Sequence, residues 1–444
     1  MFAPARIIRQ AKRAVAAATL CAAIGAPGFA SANDAPAPVA PVAVSAKLVE
    51  EGKIARLTFD LSSSIQAHAF ALADPDRIVV DIPEVNFQVD PAIGRPHRHQ
   101  SGAIVQSFRF GMLGPGKSRI VIDLGQKACI EKLVVQPIAP GAEPARLEIE
   151  LAACDPAAFA QTVRAEKPGP AAPSAPASEV AAAPPGLPVI VLDPGHGGID
   201  GGANGPAGEM EKTIVYEFTR QLARKLEESK KFKIILTRNG DEFVSLGDRV
   251  KVARAANAAL LISIHADTLA GAADVSGATV YTLADRASDA VAARVAESEN
   301  AADKAAGVEQ KAEDAGVADI LFDLKRRETR TYAHLFSREI VKDWRGAGRL
   351  NRNPERSAGF VVLKAPDFPS VLAEIGYLSS RGDVKSMNSP DWRNKATDAL
   401  ANSVERFFSP RSDADAVAPG VADEAPQDSV SVVEPVAKSG GNVH

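Results

Sequence analysis

An apolar segment that runs straight into a glycine-rich turn, residues 189–198, constrains the fold of this chain more than any other feature. Its first four residues are branched aliphatics, a run typical of a strand that is buried on both faces. One proline and three glycines then force a sharp turn, and this turn carries His196. Open α/β sheets bind their ligands outside the carboxyl ends of their strands. We therefore expect the partners of His196 at the ends of other strands.

The segments after this turn alternate between strand-like and helical patterns. Short apolar strands are predicted at 232–236 and 260–266, with amphipathic helices before and between them. The order strand, helix, strand, helix, strand predicts an open, mostly parallel sheet flanked by helices over residues 188–408. In such a sheet His265, near the end of its strand, reaches the same edge as His196.

Two histidines and one carboxylate in these positions have the chemistry of a hydrolytic zinc site. Glu211 is predicted in the first turn of a helix, where a carboxylate could also be a simple cap. The set of His196, Glu211 and His265 leaves a fourth zinc position for water, whose pKa the metal lowers to about 7. The reaction also needs a general base, and Glu374, at the end of an apolar strand, is the best candidate. A single histidine at a strand end is more often structural, but the three placements together favour a metal site.

Residues 45–153 show a different pattern, with apolar side chains at every second position. This alternation, interrupted by turn clusters, predicts an antiparallel all-β sandwich. No set of residues in this region indicates catalysis. His97 and His99 could contact a metal, but a solvated loop fits them better because no carboxylate or thiol is near. Cys129 and Cys154 could form a disulfide or remain buried thiols, and the sequence leaves both open.

The first 32 residues have the features of a secretory signal peptide, with cleavage expected after Ala32. Their apolar run is interrupted by glycine and proline and is too short to span a membrane, and we predict no transmembrane segment after cleavage. Cys21 follows a leucine rather than a small residue, which argues against a lipoprotein. A formal net charge of -4, without a basic and aromatic stripe, gives no support for nucleic-acid binding.

Two further segments are rich in alanine and proline and have too few large apolar side chains to build a core. Residues 155–187 are predicted to be a linker, and residues 409–444 are predicted to be a disordered tail. We expect neither segment to carry a catalytic motif.

Five motifs in the C-terminal region resemble those of the zinc-dependent N-acetylmuramoyl-L-alanine amidases of the periplasmic, division-associated type. The motifs are, in order, residues 192–198, 210–212, 236–238, 263–267 and 373–378. The resemblance implies that His196, Glu211 and His265 bind zinc. It also implies that Glu374 is the catalytic carboxylate. It favours Glu211 over the nearby Glu209, because the ligand in this family immediately precedes a lysine.

The resemblance also implies an activity. Enzymes of this family cleave the amide between N-acetylmuramic acid and the L-alanine of the stem peptide, in cell wall remodelling and daughter-cell separation. The region 45–153 resembles the AMIN domains that exported wall hydrolases carry before their catalytic domains, which implies targeting to the envelope. We therefore expect a periplasmic monomer that acts on peptidoglycan.

One long insertion, residues 284–330, is rich in alanine and charge and precedes a helix predicted at 332–344. Its composition alone favours a solvated helical excursion. In the amidases that this sequence resembles, a helix here covers the zinc, and a glutamate fills the open metal position until an activator withdraws it. We therefore expect an autoinhibited amidase that a LytM-domain activator opens. Glu299 and Glu297 are the candidates, with Glu299 preferred. A narrow apolar stripe at 317–324 could pack on the protein or dock in a partner's groove.

Two other functions are compatible with some of these sequence features. A zinc peptidase that cuts within the stem peptide would share the metal chemistry and differ in how its groove holds the substrate, and only the motifs argue against it. A non-catalytic envelope protein that binds peptidoglycan could keep the fold. Such a protein would be expected to lose ligands, whereas all three ligand candidates and Glu374 are present.

Overall fold

The computed structural model describes residues 40–95, 102–138, 144–165, 186–269, 275–308 and 320–409. The predicted signal peptide, His97, His99 and residues 410–444 lie outside these ranges, as do residues 166–185 of the predicted linker. Within the described ranges, no helix combines the length and the apolar character needed to cross a membrane.

The N-terminal region is a sandwich of two sheets, which confirms the predicted all-β fold. The first sheet has the strand order β5-β1-β2-β9-β8, and the second has the order β3-β4-β7-β6. Neighbouring strands pair antiparallel, apart from a short parallel contact between β1 and β5. Alternate side chains, such as those of Leu57, Phe59 and Leu61, are buried in the core between the sheets. The strands are β1 (Val42–Glu51), β2 (Ile54–Leu61), β3 (His68–Leu72), β4 (Arg77–Pro83), β5 (Asn86–Phe87), β6 (Val105–Gly114), β7 (Lys117–Leu124), β8 (Ala128–Pro137) and β9 (Ala145–Ala153).

The first part of the predicted linker 155–187 is not a linker. Residues Pro156–Ala165 form a helix, α1, which packs on the sandwich. Its anchor is Phe159, whose side chain is buried in the sandwich core beneath the ammonium group of Lys127. The alanine-rich composition concealed this helix, because Phe159 is the only buried side chain among its described residues.

Cys129 and Cys154 form a disulfide in the structure. Cys129 lies on β8, and Cys154 directly follows β9, the strand that pairs with β8. Antiparallel neighbours bring the two Cα atoms to 5.8 Å, within the range that a disulfide bridges. The disulfide therefore ties the end of the sandwich to its edge strand.

The C-terminal region is an α/β domain, again as predicted. Its sheet has the order β11-β10-β12-β15-β13-β14, and it is parallel except where β13 pairs antiparallel with β15. The side chains of β10 are buried on both faces: Ile190 and Leu192 pack on one side, and Val189 and Val191 on the other. The strands are β10 (Val189–Pro194), β11 (Lys233–Leu236), β12 (Leu260–His265), β13 (Ala278–Leu283), β14 (Leu350–Ala358) and β15 (Ser370–Glu374).

Helices cover both faces of this sheet. They are α2 (Glu211–Glu228), α3 (Leu246–Ala255), α4 (Ala290–Asn300), α5 (Ala302–Ala305), α6 (Ile320–Trp344), α7 (Arg381–Met387) and α8 (Pro390–Phe408). Helix α6 begins at Ile320, so the helix predicted at 332–344 was too short, and α6 extends into the predicted insertion 284–330. The highly charged stretch at 325–330 concealed the first turns of this helix. The predicted apolar stripe at 317–324 lies outside the residues whose side chains the structure describes.

Candidate metal centre

The turn that carries His196 is held in an unusual backbone conformation. His196 has φ of 57°, a left-handed value that is unfavourable for residues other than glycine. The buried guanidinium group of Arg249 donates hydrogen bonds to the carbonyl oxygens of Pro194 and His196, at 2.9 and 2.8 Å. Arg249 also forms a buried ion pair with Asp193, at 2.7 Å. These bonds fix the direction in which the imidazole leaves the strand.

The predicted ligands converge at the carboxyl edge of the sheet because β10 and β12 are parallel neighbours. One carboxylate oxygen of Glu211 lies 3.1 Å from Nε2 of His196 and 3.2 Å from Nδ1 of His265. Glu299, on α4, completes the group, and one ligand atom from each of the four residues lies within 4.8 Å of the others. All four side chains are buried.

The residues present fit a divalent metal ion. Among the described residues, Nε2 of His196 and Nδ1 of His265 have no well-aligned hydrogen bond, and both face the carboxylate oxygens of Glu211 and Glu299 at 3.0–3.5 Å. Imidazole nitrogens and carboxylate oxygens that face one another in this way suit a shared divalent ion. The other ring nitrogen of His196 lies 2.8 Å from a carboxylate oxygen of Asp200, the type of contact that orients metal-binding histidines. Glu211 is held by the backbone N–H groups of Ala203 and Ala266, both at 2.8 Å.

The charges of the cluster also suit a cation. Burial by itself would lower the pKa of His196, but Asp200, Glu211 and Glu299 raise it well above its usual value. Burial acts in the same direction on His265, and Glu299 and Glu211 raise its pKa to about 10. Burial would raise the pKa of Glu211, yet the two histidines hold it well below its usual range. The carboxylates thus favour two positive charges here, which one divalent ion would also supply.

Glu374, the predicted general base, ends β15 beside this cluster. It pairs with His265 in the strand register and is completely buried. One of its carboxylate oxygens accepts a hydrogen bond from the backbone N–H of Asp267 at 3.0 Å, and the other has no partner in the described residues. Burial raises the pKa of Glu374 well above its usual value. His265 lowers this pKa, but the nearby carboxylates raise it further. A carboxyl group of this kind can hold and return a proton.

The structure brings together some of the candidate glutamates and not others. Glu299 lies within the cluster, with Oε2 at 3.0 Å from Nδ1 of His265. Glu297, on the same helix, is exposed to solvent. Glu209 is partly exposed, and its carboxylate accepts a hydrogen bond from the backbone N–H of Ala207.

Sequence reasoning missed two side chains that shape the site. Asp200 lies four residues after His196 in the same glycine-rich loop, so a carboxylate at this short distance was an available signal. Arg249 lies on α3 and reaches the turn only through the packing of the helix on the sheet. No local sequence pattern marks such a contact.

Comparisons with known proteins match both regions of the chain. A family model described as N-acetylmuramoyl-L-alanine amidase matches residues 190–406, and an AMIN domain model matches residues 45–151. N-acetylmuramoyl-L-alanine amidase AmiC of Escherichia coli O6:H1 is 29% identical over 364 residues, which are 80% of this chain and 86% of that protein. AmiC of Neisseria meningitidis serogroup B is 29% identical over 83% of this chain and 90% of that protein. AmiA of Escherichia coli K12 is 36% identical over 50% of this chain and 76% of that protein.

Proposed function

We propose a zinc-dependent, autoinhibited mechanism for this chain, which belongs to the N-acetylmuramoyl-L-alanine amidase family. It is a peptidoglycan amidase, and the bond it hydrolyses joins N-acetylmuramic acid to the L-alanine of the stem peptide. Its AMIN domain and its AmiC relatives point to the cell envelope. We infer that the compartment is the periplasm, reached through the signal peptide at 1–32, and that the enzyme serves daughter-cell separation.

The proposed zinc ligands are His196, Glu211 and His265. This proposal rests on the convergence of their buried ligand atoms, in which both imidazole nitrogens face carboxylate oxygens and no hydrogen bond satisfies either nitrogen among the described residues. Bound zinc would supply Lewis-acid chemistry, polarising the amide carbonyl and lowering the pKa of water. Asp200 would hold the ring of His196 in its ligating orientation through the contact at Nδ1.

Glu374 is the proposed general base and acid. Its free carboxylate oxygen would take a proton from the attacking water and return it to the leaving nitrogen of L-alanine. The backbone N–H of Asp267 orients the carboxylate through its other oxygen. The raised pKa supports this role, because it makes the Glu374 carboxylate a stronger base toward the attacking water than an ordinary carboxylate.

We further propose that residues 290–308, the inhibitory segment, hold the enzyme in a closed state through Glu299. The carboxylate of Glu299 lies 3.0 Å from His265 and 3.5 Å from His196, where it would compete with water and substrate for the metal. Opening requires a partner that binds the open state more tightly than the closed one. The family resemblance favours an activator with a LytM domain as that partner.

Digestion of purified sacculi tests the reaction. The full-length chain, with and without a chelator, is incubated with sacculi, and the new termini are identified by mass spectrometry. Stem peptides with a free L-alanine amine, released only without chelator, support the amidase. Termini within the stem peptide would instead support a zinc peptidase. Unchanged sacculi, even after the activator is added, would support a peptidoglycan-binding protein without activity.

A further inference from the structure

The second sheet of the sandwich contacts the inhibitory segment directly. Three of its arginines, Arg77 on β4, Arg109 on β6 and Arg119 on β7, donate hydrogen bonds to the carbonyl oxygens of residues 304–307. We call these three residues the arginine clamp. The carbonyls that they bind begin five residues after Glu299, at the end of α5 and just beyond it.

The guanidinium groups of the arginine clamp point their N–H groups at individual carbonyl oxygens of the inhibitory segment. Nε and Nη2 of Arg109 both donate to the carbonyl oxygen of Ala305, at 2.9 and 2.6 Å. Nη1 of Arg119 donates to the carbonyl oxygens of Ala306 and Gly307, at 3.1 and 2.8 Å. Carbonyls at a helix end lack partners within the helix, so cationic donors satisfy them especially well.

The arginines are themselves fixed in place. Arg119 is buried and forms an ion pair with Asp81 on the neighbouring strand, at 2.6 Å. Arg109 forms an ion pair with Asp123, also at 2.6 Å. Because the sandwich orients the guanidinium groups in advance, little side-chain entropy is lost when they bind the segment.

Apolar contacts reinforce the clamp. The second sheet is buried on both faces, and its outward-facing side chains pack against Ala306 of the inhibitory segment and against the loop that follows His196. The buried members of this cluster are Phe70, Leu72, Val79, Val121, Ile199, Phe243 and Ala306. The backbone N–H of Ile199 also donates to the carbonyl oxygen of Met112 on β6, at 3.0 Å. One sheet thus contacts both the metal loop and the segment that covers it.

We propose that the second sheet of the sandwich is an interaction surface whose partner is the inhibitory segment, and that the AMIN domain therefore stabilises the closed state of the enzyme. This inference rests on the proposed autoinhibition by Glu299. Since α4 and α5 follow each other almost without a break, Glu299 cannot leave the site while residues 304–307 stay in the clamp unless the helices between them unwind. An activator must therefore break the clamp or move it together with the segment.

The clamp is not the only anchor of the segment. Asn300 bonds to the backbone of Gly359 and Val361, and the carboxylate of Asp303 accepts a bond from the backbone N–H of Leu246. These contacts lie within the catalytic domain and remain when the clamp is removed. Loss of the clamp should therefore shift the closed state partially, by about tenfold, rather than abolish it.

The test compares two double variants of the full-length chain without activator. R109Q/R119Q removes the guanidinium groups of two of the three clamp residues. R56Q/R146Q is the matched control, because Arg56 and Arg146 lie on the first sheet, pair with Glu150 and Asp60, and make no contact with the inhibitory segment among the described residues. We expect the clamp variant to cleave sacculi about tenfold faster than the wild type, and the control to stay within twofold. Amide hydrogen exchange at residues 299–308 should rise in the clamp variant alone.

E299Q separates failure of this inference from failure of the autoinhibition proposal. If E299Q is activated while R109Q/R119Q cleaves and exchanges like the wild type, the clamp has no inhibitory role. If E299Q keeps the wild-type rate with zinc bound, autoinhibition by Glu299 fails, and the inference fails with it. Should the double variant not fold, R109Q alone is used, since Arg109 is partly exposed. Wild-type exchange at 299–308 in folded R109Q would overturn the inference.

Discussion

Replacing Glu299 by glutamine should activate the enzyme without any partner. The substitution keeps the shape of the side chain and removes its charge. In the wild type, Oε2 of Glu299 lies 3.0 Å from Nδ1 of His265 and 3.5 Å from Nε2 of His196. Glu299 is only 3% exposed, so solvent screens these contacts little. A contact of this kind to a charged group contributes about 1.5–3 kcal/mol. Since about 1.4 kcal/mol is a factor of ten, the basal rate should rise by roughly 10- to 100-fold.

Release of soluble fragments from dye-labelled sacculi measures this rate, and bound zinc is measured on the same samples. E297Q is the matched control, because Glu297 lies on the same helix and is exposed. We expect E297Q to keep the wild-type rate. A wild-type rate in E299Q with a full zinc content would show that Glu299 does not inhibit the enzyme. An equal increase in both variants would also refute inhibition by Glu299, since it would show a general loosening of α4.

Three further predictions concern the centre and the sandwich. E374Q should abolish turnover in the sacculus assay while metal analysis shows unchanged zinc, because the proposed role of Glu374 is to move protons and not to bind the metal; lost zinc would contradict this role. D200N should weaken zinc binding by about 10- to 100-fold in a chelator competition, because Asp200 orients His196; unchanged affinity would argue against it. Serine at Cys129 and Cys154 should lower the free energy of unfolding of the sandwich by about 3.5 kcal/mol, from the loop entropy of 25 residues, as measured by denaturant titration. A loss well under 1 kcal/mol would contradict that estimate.

The fold class and the cluster of ligand candidates could be predicted because their signals are local. A buried strand followed by glycines indicates where His196 leaves the sheet, and parallel neighbours bring His265 and Glu374 to the same edge. The helical phase of α4 also carried a signal. Glu299 lies seven residues after the buried Ala292 and therefore on the same, buried face of the helix. Glu297 lies on a different face.

The contacts between the two regions could not be predicted, because they depend on tertiary packing. The alternation of β4 and β7 indicated one wet face, yet Val79 and Val121 on the opposite face are also buried, beneath the inhibitory segment. The uninterrupted apolar runs in these strands were the available signal. No sequence pattern distinguishes Arg109 and Arg119 from ordinary surface charges, because none shows that a helix end lies above them.

X-ray anomalous scattering at the zinc edge, from crystals of the full-length chain, locates the metal and the residues that bind it. We expect one strong peak bonded to His196, Glu211 and His265, which disappears after chelation together with the activity. A zinc peak bonded to other residues would contradict the proposed zinc site. Full amidase activity of a protein whose crystals show no such peak would also contradict it.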